Sequence, residues 1–175
     1  MKTIAIAVVG SKSSGKTTTI EALTKELTRR DYKIAAIKHI PEPNFTIDKE
    51  GKDTWRFAKS GAKTIISVAS NEIATIEKIN ENNFSLKNTL KRCEGNDIVF
   101  LEGFRKLVGK KRDIQKIVVV KSEEEALEAL KYFKPVLAFT GSYSTENLNL
   151  KVPYADILKN PEKLANIVEK ALRRS

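Results

Sequence analysis

The residues Gly10-Ser11-Lys12-Ser13-Ser14-Gly15-Lys16-Thr17 have the spacing G-x-x-x-x-G-K-[ST], the pattern of a loop that cradles phosphates. The two glycines and the small serines let the chain curl until its amide hydrogens point inward at phosphate oxygens. A helix opening near Lys16 adds its positive end to the same place. Lys16 would then reach the β- and γ-phosphates, and the Thr17 hydroxyl would help to hold Mg²⁺, with Thr18 next to it in the first turn. A glycine-rich turn without a ligand can carry the same letters. Here the motif follows a short apolar run, Ile4 to Val9, and opens a periodic helix, which is the context that phosphate binding requires.

A second chemical stretch is Asp97-Ile98-Val99-Phe100-Leu101-Glu102-Gly103-Phe104. Four apolar residues in a row predict a central strand buried on both faces and ended by a carboxylate. Such a strand lies beside the one carrying the phosphate loop and delivers its carboxylate to Mg²⁺ or its water shell, which makes Glu102 the metal-side acid. The basic segment Arg105, Lys106, Lys110, Lys111 and Arg112 follows on the same rim and can meet an anionic substrate or partner. The loop His39 to Lys52 leaves the carboxyl end of the second strand, where α/β sheets carry functional loops, so His39, Asp48 and Asp53 are candidates near the phosphates. His39 also reads as a loop anchor and Asp48 as a solvated turn carboxylate. Arg56 reads either as a phosphate ligand or as an ordinary surface arginine. Thr140 to Tyr143 leaves a late strand on the functional edge, where a base-reading loop often lies, and no N-K-x-D stretch is present.

The elements that must position these groups follow from periodicity. Ile20, Leu23 and Leu27 mark a helix over 16–30, and Lys33 to Lys38 a second strand placed parallel beside the first by the crossover. Pro41 and Pro43 argue against helix, and Phe45 to Ile47 suits a brief strand. A short helix over 53–60 carries Trp55 as a core anchor, strands follow at 63–69 and 72–77, and a helix at 85–91. Ser122 with Glu125 three residues on predicts a capping box for the next helix, and Asn160-Pro161 opens the last one. Together these predict a P-loop NTPase-like, doubly wound α/β fold. It has a mostly parallel sheet of about seven strands and a small hairpin-like insertion, in a single domain.

At 175 residues the chain suits one domain with a full core, and 41% hydrophobic with 31% charged residues marks it as globular. No apolar run approaches the length of a membrane span and no cleavable signal peptide is evident, so a cytoplasmic location is expected. One cysteine, Cys93, and one histidine, His39, exclude an intrachain disulfide and a multi-cysteine zinc site. The net charge of +10 is spread over helix faces and loops without an aromatic-interleaved stripe. That points to a polyanionic small substrate or an acidic protein rather than to nucleic acid.

The chain resembles the molybdopterin-guanine dinucleotide biosynthesis protein B family. The likeness rests on the phosphate loop together with Ile37-Lys38-His39, Ile47-Asp48-x-x-Gly51-Lys52-Asp53-Thr54-Trp55-Arg56, Ser60-Gly61-Ala62 and Leu101-Glu102-Gly103-Phe104, in order across residues 3–105. The resemblance implies a dimeric GTP-binding protein with weak Mg²⁺-dependent GTPase activity. Such a protein assists the guanylyltransferase that attaches GMP to molybdopterin, giving the guanine dinucleotide form of the molybdenum or tungsten cofactor. It implies that Gly10 to Thr17 cradle the nucleotide, that Asp48 and Glu102 are the acids near Mg²⁺, and that Lys38, Asp53 and Arg56 belong to the shell of the site. Where the family often has further histidines after His39, this chain has Ile40, Pro41 and Glu42. Neither a catalytic base nor an arginine finger is evident, so slow intrinsic hydrolysis is expected. A small-molecule kinase using ATP or GTP is the alternative, with the basic segment at 105–112 as its lid.

Overall fold

The first strand, β1 (Ile4–Gly10), has four consecutive buried residues, Ala and Ile at its start giving way to Val8 and Val9. Only a strand covered on both faces takes such a run, and β1 does sit at the centre of the main sheet. The computed structural model describes residues 3–80 and 83–174. Their elements continue as α1 (Lys16–Thr28), β2 (Ile34–Lys38), α2 (Asp53–Lys59), β3 (Thr64–Val68), β4 (Ile73–Glu77) and α3 (Leu86–Lys91). Then come β5 (Ile98–Glu102), α4 (Arg105–Val108), β6 (Gln115–Val119), α5 (Glu123–Tyr132), β7 (Val136–Thr140) and α6 (Pro161–Leu172).

Five strands form a parallel sheet in the order β2-β5-β1-β6-β7, and β3 and β4 form a separate antiparallel pair. The expectation of about seven strands in one sheet is therefore corrected to five, the other two being the hairpin-like insertion. Phe45 to Ile47 forms no strand. The second strand is parallel to the first but not beside it. β5, buried at its first four positions, needs a strand on each edge, and takes β1 on one side and β2 on the other.

The chain divides into two compact units, the residues up to His39 together with those from Leu90 onward, and Ile40 to Thr89. In the first, α1 and α6 cover one face of the sheet. Leu23, Leu27, Leu164 and Val168 have no exposed surface there and pack with Ile6, Val8 and Phe100. Each such side chain contributes about 1.5–3 kcal/mol by leaving water. Arg30 bridges the two helices through Glu26 and Glu169. The caps form as predicted: Ser122 accepts from the Glu125 amide and Asn160 from the Lys163 amide. In the second unit, α2 has no buried residue, and Trp55 is half-buried under the Lys59 ammonium rather than a core anchor. The β3–β4 hairpin pairs Val68 with Ile73 and Ile66 with Thr75.

Candidate functional site

The loop from Gly10 to Thr17 joins the carboxyl end of β1 to the start of α1. Two residues turn it through left-handed backbone, Ser13 at φ 56° and Gly15 at φ 98°. Gly10 is required for a different reason. A Cβ there would meet the Val119 carbonyl at 2.5 Å and the Ser14 hydroxyl at 2.6 Å, so only glycine lets the loop lie against β6. At Gly15 the helix has no side-chain cap and no acid in its first turn. Its first amides and the positive end of its dipole are thus left for an anion.

Lys16 folds back on the loop and donates to the carbonyls of Ser11 at 2.7 Å and Gly10 at 3.4 Å. Burial pushes its pKa down, and nearby Lys121 and Lys38 push the same way, while the Glu102 carboxylate partly offsets them. Thr17 donates to both oxygens of Glu102 at 3.1 Å. Glu102 is fixed from two sides, since its residue pairs with Val8 on β1 and with Lys38 on β2. The Lys38 ammonium lies 3.5 Å from the same carboxylate. Lys12 to Thr18 and Glu102 line an open cavity of about 510 Å³. The structure thus brings together, in one place, the loop, Lys16, Thr17, Thr18, Lys38 and Glu102.

The Thr17 hydroxyl and the Glu102 carboxylate are hard oxygen donors, a set that suits Mg²⁺ completed by phosphate oxygens and water. Among the described residues, no group of three or more His, Cys, Asp or Glu side chains is arranged to hold a metal alone. A cation here would therefore depend on its nucleotide, as Mg²⁺ in phosphate-loop sites does.

Asp48, Asp53 and Arg56 lie in the second unit. Asp48 accepts from the Thr54 hydroxyl at 2.8 Å and the Lys49 amide at 2.9 Å, and its second oxygen is buried without a hydrogen-bond partner. Asp53 and Arg56 are exposed and sit 3.6 Å apart. The His39 ring lies tilted against Phe104 with centroids 5.0 Å apart, and its amide donates to the Glu102 carbonyl, the arrangement of a loop anchor. The sequence reading missed Lys121, which reaches back from the end of β6 to the Lys12 carbonyl at 3.4 Å. Its only signal was a lysine directly after a strand and before a capping box.

The family model for molybdopterin guanine dinucleotide synthesis protein B, MobB, matches residues 5–141. This chain belongs to the MobB family. A molybdopterin-guanine dinucleotide biosynthesis adapter protein of Haemophilus influenzae is 33% identical over 67% of this chain and 64% of its own length. A Methanocaldococcus jannaschii relative, provisionally given the same adapter name, is 37% identical over 68% of this chain and 48% of its own. The match thus spans about half to two thirds of these MobB relatives. A crystal structure of molybdopterin-guanine biosynthesis protein B superposes with a TM-score of 0.75 at 26% identity, covering 97% of this chain and 99% of that one. Bacillus subtilis MobB, at 21% identity and a TM-score of 0.68, shares the fold. No helix among the described residues is long and apolar enough to cross a membrane.

Proposed function

We propose that this MobB-family protein is a GTP-binding adapter with weak Mg²⁺-dependent GTPase activity. It would assist a guanylyltransferase in joining GMP to molybdopterin, in biosynthesis of the guanine dinucleotide form of the molybdenum or tungsten cofactor. The observation that carries the reading is the triple of Lys16, Thr17 and Glu102 in one open, polar cavity at a bare helix start. The names of the relatives supply the pathway.

In this reading the loop amides and Lys16 bind the triphosphate, Lys16 giving up the Ser11 and Gly10 carbonyls for the β- and γ-phosphates. That exchange replaces neutral acceptors by charged ones, roughly doubling the strength of each hydrogen bond. Bound Mg²⁺ would supply charge neutralisation on the phosphates. Thr17 and Glu102 would hold its place, directly or through water, and the Lys38 ammonium, 3.5 Å from Glu102, would orient that carboxylate. Asp48, Asp53 and Arg56 rest on the family resemblance. The basic segment that a kinase would use as a lid is partly tied down: Arg105 lies 3.1 Å from Glu128 and over the Tyr132 ring, and Val108 is fully buried.

Calorimetric titration with GTP, ATP and GDP, with and without Mg²⁺, tests the reading. GTP is expected to bind more tightly than ATP, in a Mg²⁺-dependent manner. Lys16→Ala is expected to abolish tight triphosphate binding with the melting curve kept, and Glu102→Ala mainly to remove the Mg²⁺ dependence. Preference for ATP, or unchanged binding in both variants, would overturn it.

A further inference from the structure

A triphosphate in the Gly10–Thr17 loop has a direction. Its γ end would lie toward Glu102, the one acid in the cavity lining, and the Thr17 hydroxyl bonded to it, and Glu102 stands on β5, on one side of β1. The nucleoside must then leave on the other side of β1, over the ends of β6 and β7. The residues found there are Lys121 to Glu123, at the β6–α5 turn, and Tyr143 after β7.

This edge is built rather than loose. The Lys121 side chain crosses to the loop and donates to the Lys12 carbonyl at 3.4 Å, a contact between residues 109 apart in sequence. Its amide is clamped by Glu125 at 2.8 Å, and Ser122 caps the same helix. Tyr143 is drawn in by its amide, which donates to the Val120 carbonyl at 3.3 Å, and its hydroxyl donates to the Glu123 carboxylate at 3.4 Å. Between them Gly141, at φ 117°, lies so close to the Val120 backbone that no Cβ fits. A lysine stem, a tyrosine ring and a carboxylate are thus held together beside the phosphate loop.

We infer that this turn is the base-reading edge of the nucleotide site, with Glu123 as the residue that selects guanine over adenine. The inference rests on the nucleotide-binding reading above. The chemistry is a match of donors to acceptors. Guanine offers the N1 hydrogen and the 2-amino group side by side, and two carboxylate oxygens accept both. Adenine offers a bare acceptor at N1, which a carboxylate repels. The four-carbon stem of Lys121 gives the base an apolar surface to lie on while its head stays on the Lys12 carbonyl. Tyr143 orients Glu123.

The test is calorimetry on the intact protein with Mg²⁺ and three probes, GTP, ATP and inorganic tripolyphosphate, for the unmodified chain, Glu123→Gln and Tyr143→Phe. In the unmodified chain GTP is expected to bind more tightly than ATP. Glu123→Gln should lose about tenfold for GTP, the worth of a charge-assisted hydrogen bond at an exposed site, and leave tripolyphosphate unchanged. Tyr143→Phe should lose less, with the same sign. An unchanged GTP-to-ATP ratio in Glu123→Gln would overturn the assignment while tripolyphosphate binding shows the phosphate site intact. If the unmodified chain binds no tripolyphosphate, the phosphate site itself fails, and this inference with it.

Discussion

Lys116 shows how a single side chain can escape a sequence reading and still govern solution behaviour. It sits in β6, has no exposed surface, and its ammonium donates to the carbonyls of Lys111 and Lys134, the latter at 2.7 Å. Burial pushes its pKa down to about 8, against a partial upward pull from Asp113. A depressed lysine binds fewer protons folded than unfolded between pH 8 and its ordinary value of about 10.4, so stability must rise with pH across that window. The gain is at most about 1.4 kcal/mol per pH unit and is lost as pH falls through 8. Urea melts of the unmodified protein and of Lys116→Met from pH 7 to 10 check this. The difference between them should move in favour of the unmodified protein as pH rises, and parallel curves would contradict it. No periodicity announces such a residue, because its worth lies in two carbonyls outside its strand, those of Lys111 before it and Lys134 after it. The phosphate loop was legible for the opposite reason: Gly10, Gly15, Lys16 and Thr17 act within eight residues, where spacing fixes geometry. Glu102 was legible as the acid ending a fully apolar strand. Lys121 was not, since its contact with Lys12 exists only once β6 lies beside β1.

At the scale of elements, strands and helices follow the hydrophobic pattern closely, but their order does not. β1, α1 and β2 read as a simple crossover, and nothing local says that β5 enters between the two strands. That placement is settled by burial: Ile98, Val99, Phe100 and Leu101 have no exposed surface, whereas β2 is half-exposed and suits an edge. The strand–loop–helix element built on β1 also has a steric requirement that the motif letters conceal. Gly10 does not need a left-handed turn; it needs the absence of a side chain against the Val119 carbonyl, a backbone atom held in the sheet. Gly10→Ala should therefore cost about 1–3 kcal/mol of stability and displace the loop from β6. Thermal melts should fall and tripolyphosphate binding weaken at least about tenfold, as expected when a binding loop loses its geometry. Full binding at an unchanged melting temperature would show that the loop does not depend on this approach.

At the scale of the whole molecule, the second unit holds an unbalanced feature. In the β3–β4 hairpin the register places Ile66, Val68 and Ile73 on one face, and they are 59%, 75% and 69% exposed. A two-stranded antiparallel pair is marginal in water by itself, and this one forms a sheet with no third strand among the described residues. Its apolar face is exposed, and a second copy supplies an identical, self-complementary surface. The homodimer that the family resemblance implies is accordingly expected to form through this hairpin, whose apolar face is exposed, rather than through the β7 edge of the parallel sheet, which already meets Tyr154. Sedimentation of the unmodified protein should give twice the 19.6 kDa chain mass at micromolar concentration. Replacing Ile66 and Val68 together by lysine adds two like charges per chain to the shared face, and should give single chains with phosphate binding kept. The proposed nucleotide site would draw its loop, Glu102 and its inferred base-reading edge from the first unit, so assembly and triphosphate binding should separate in this variant. A dimer that persists, or nucleotide binding lost together with it, would show that the hairpin is not the joining surface or that the site depends on the second copy.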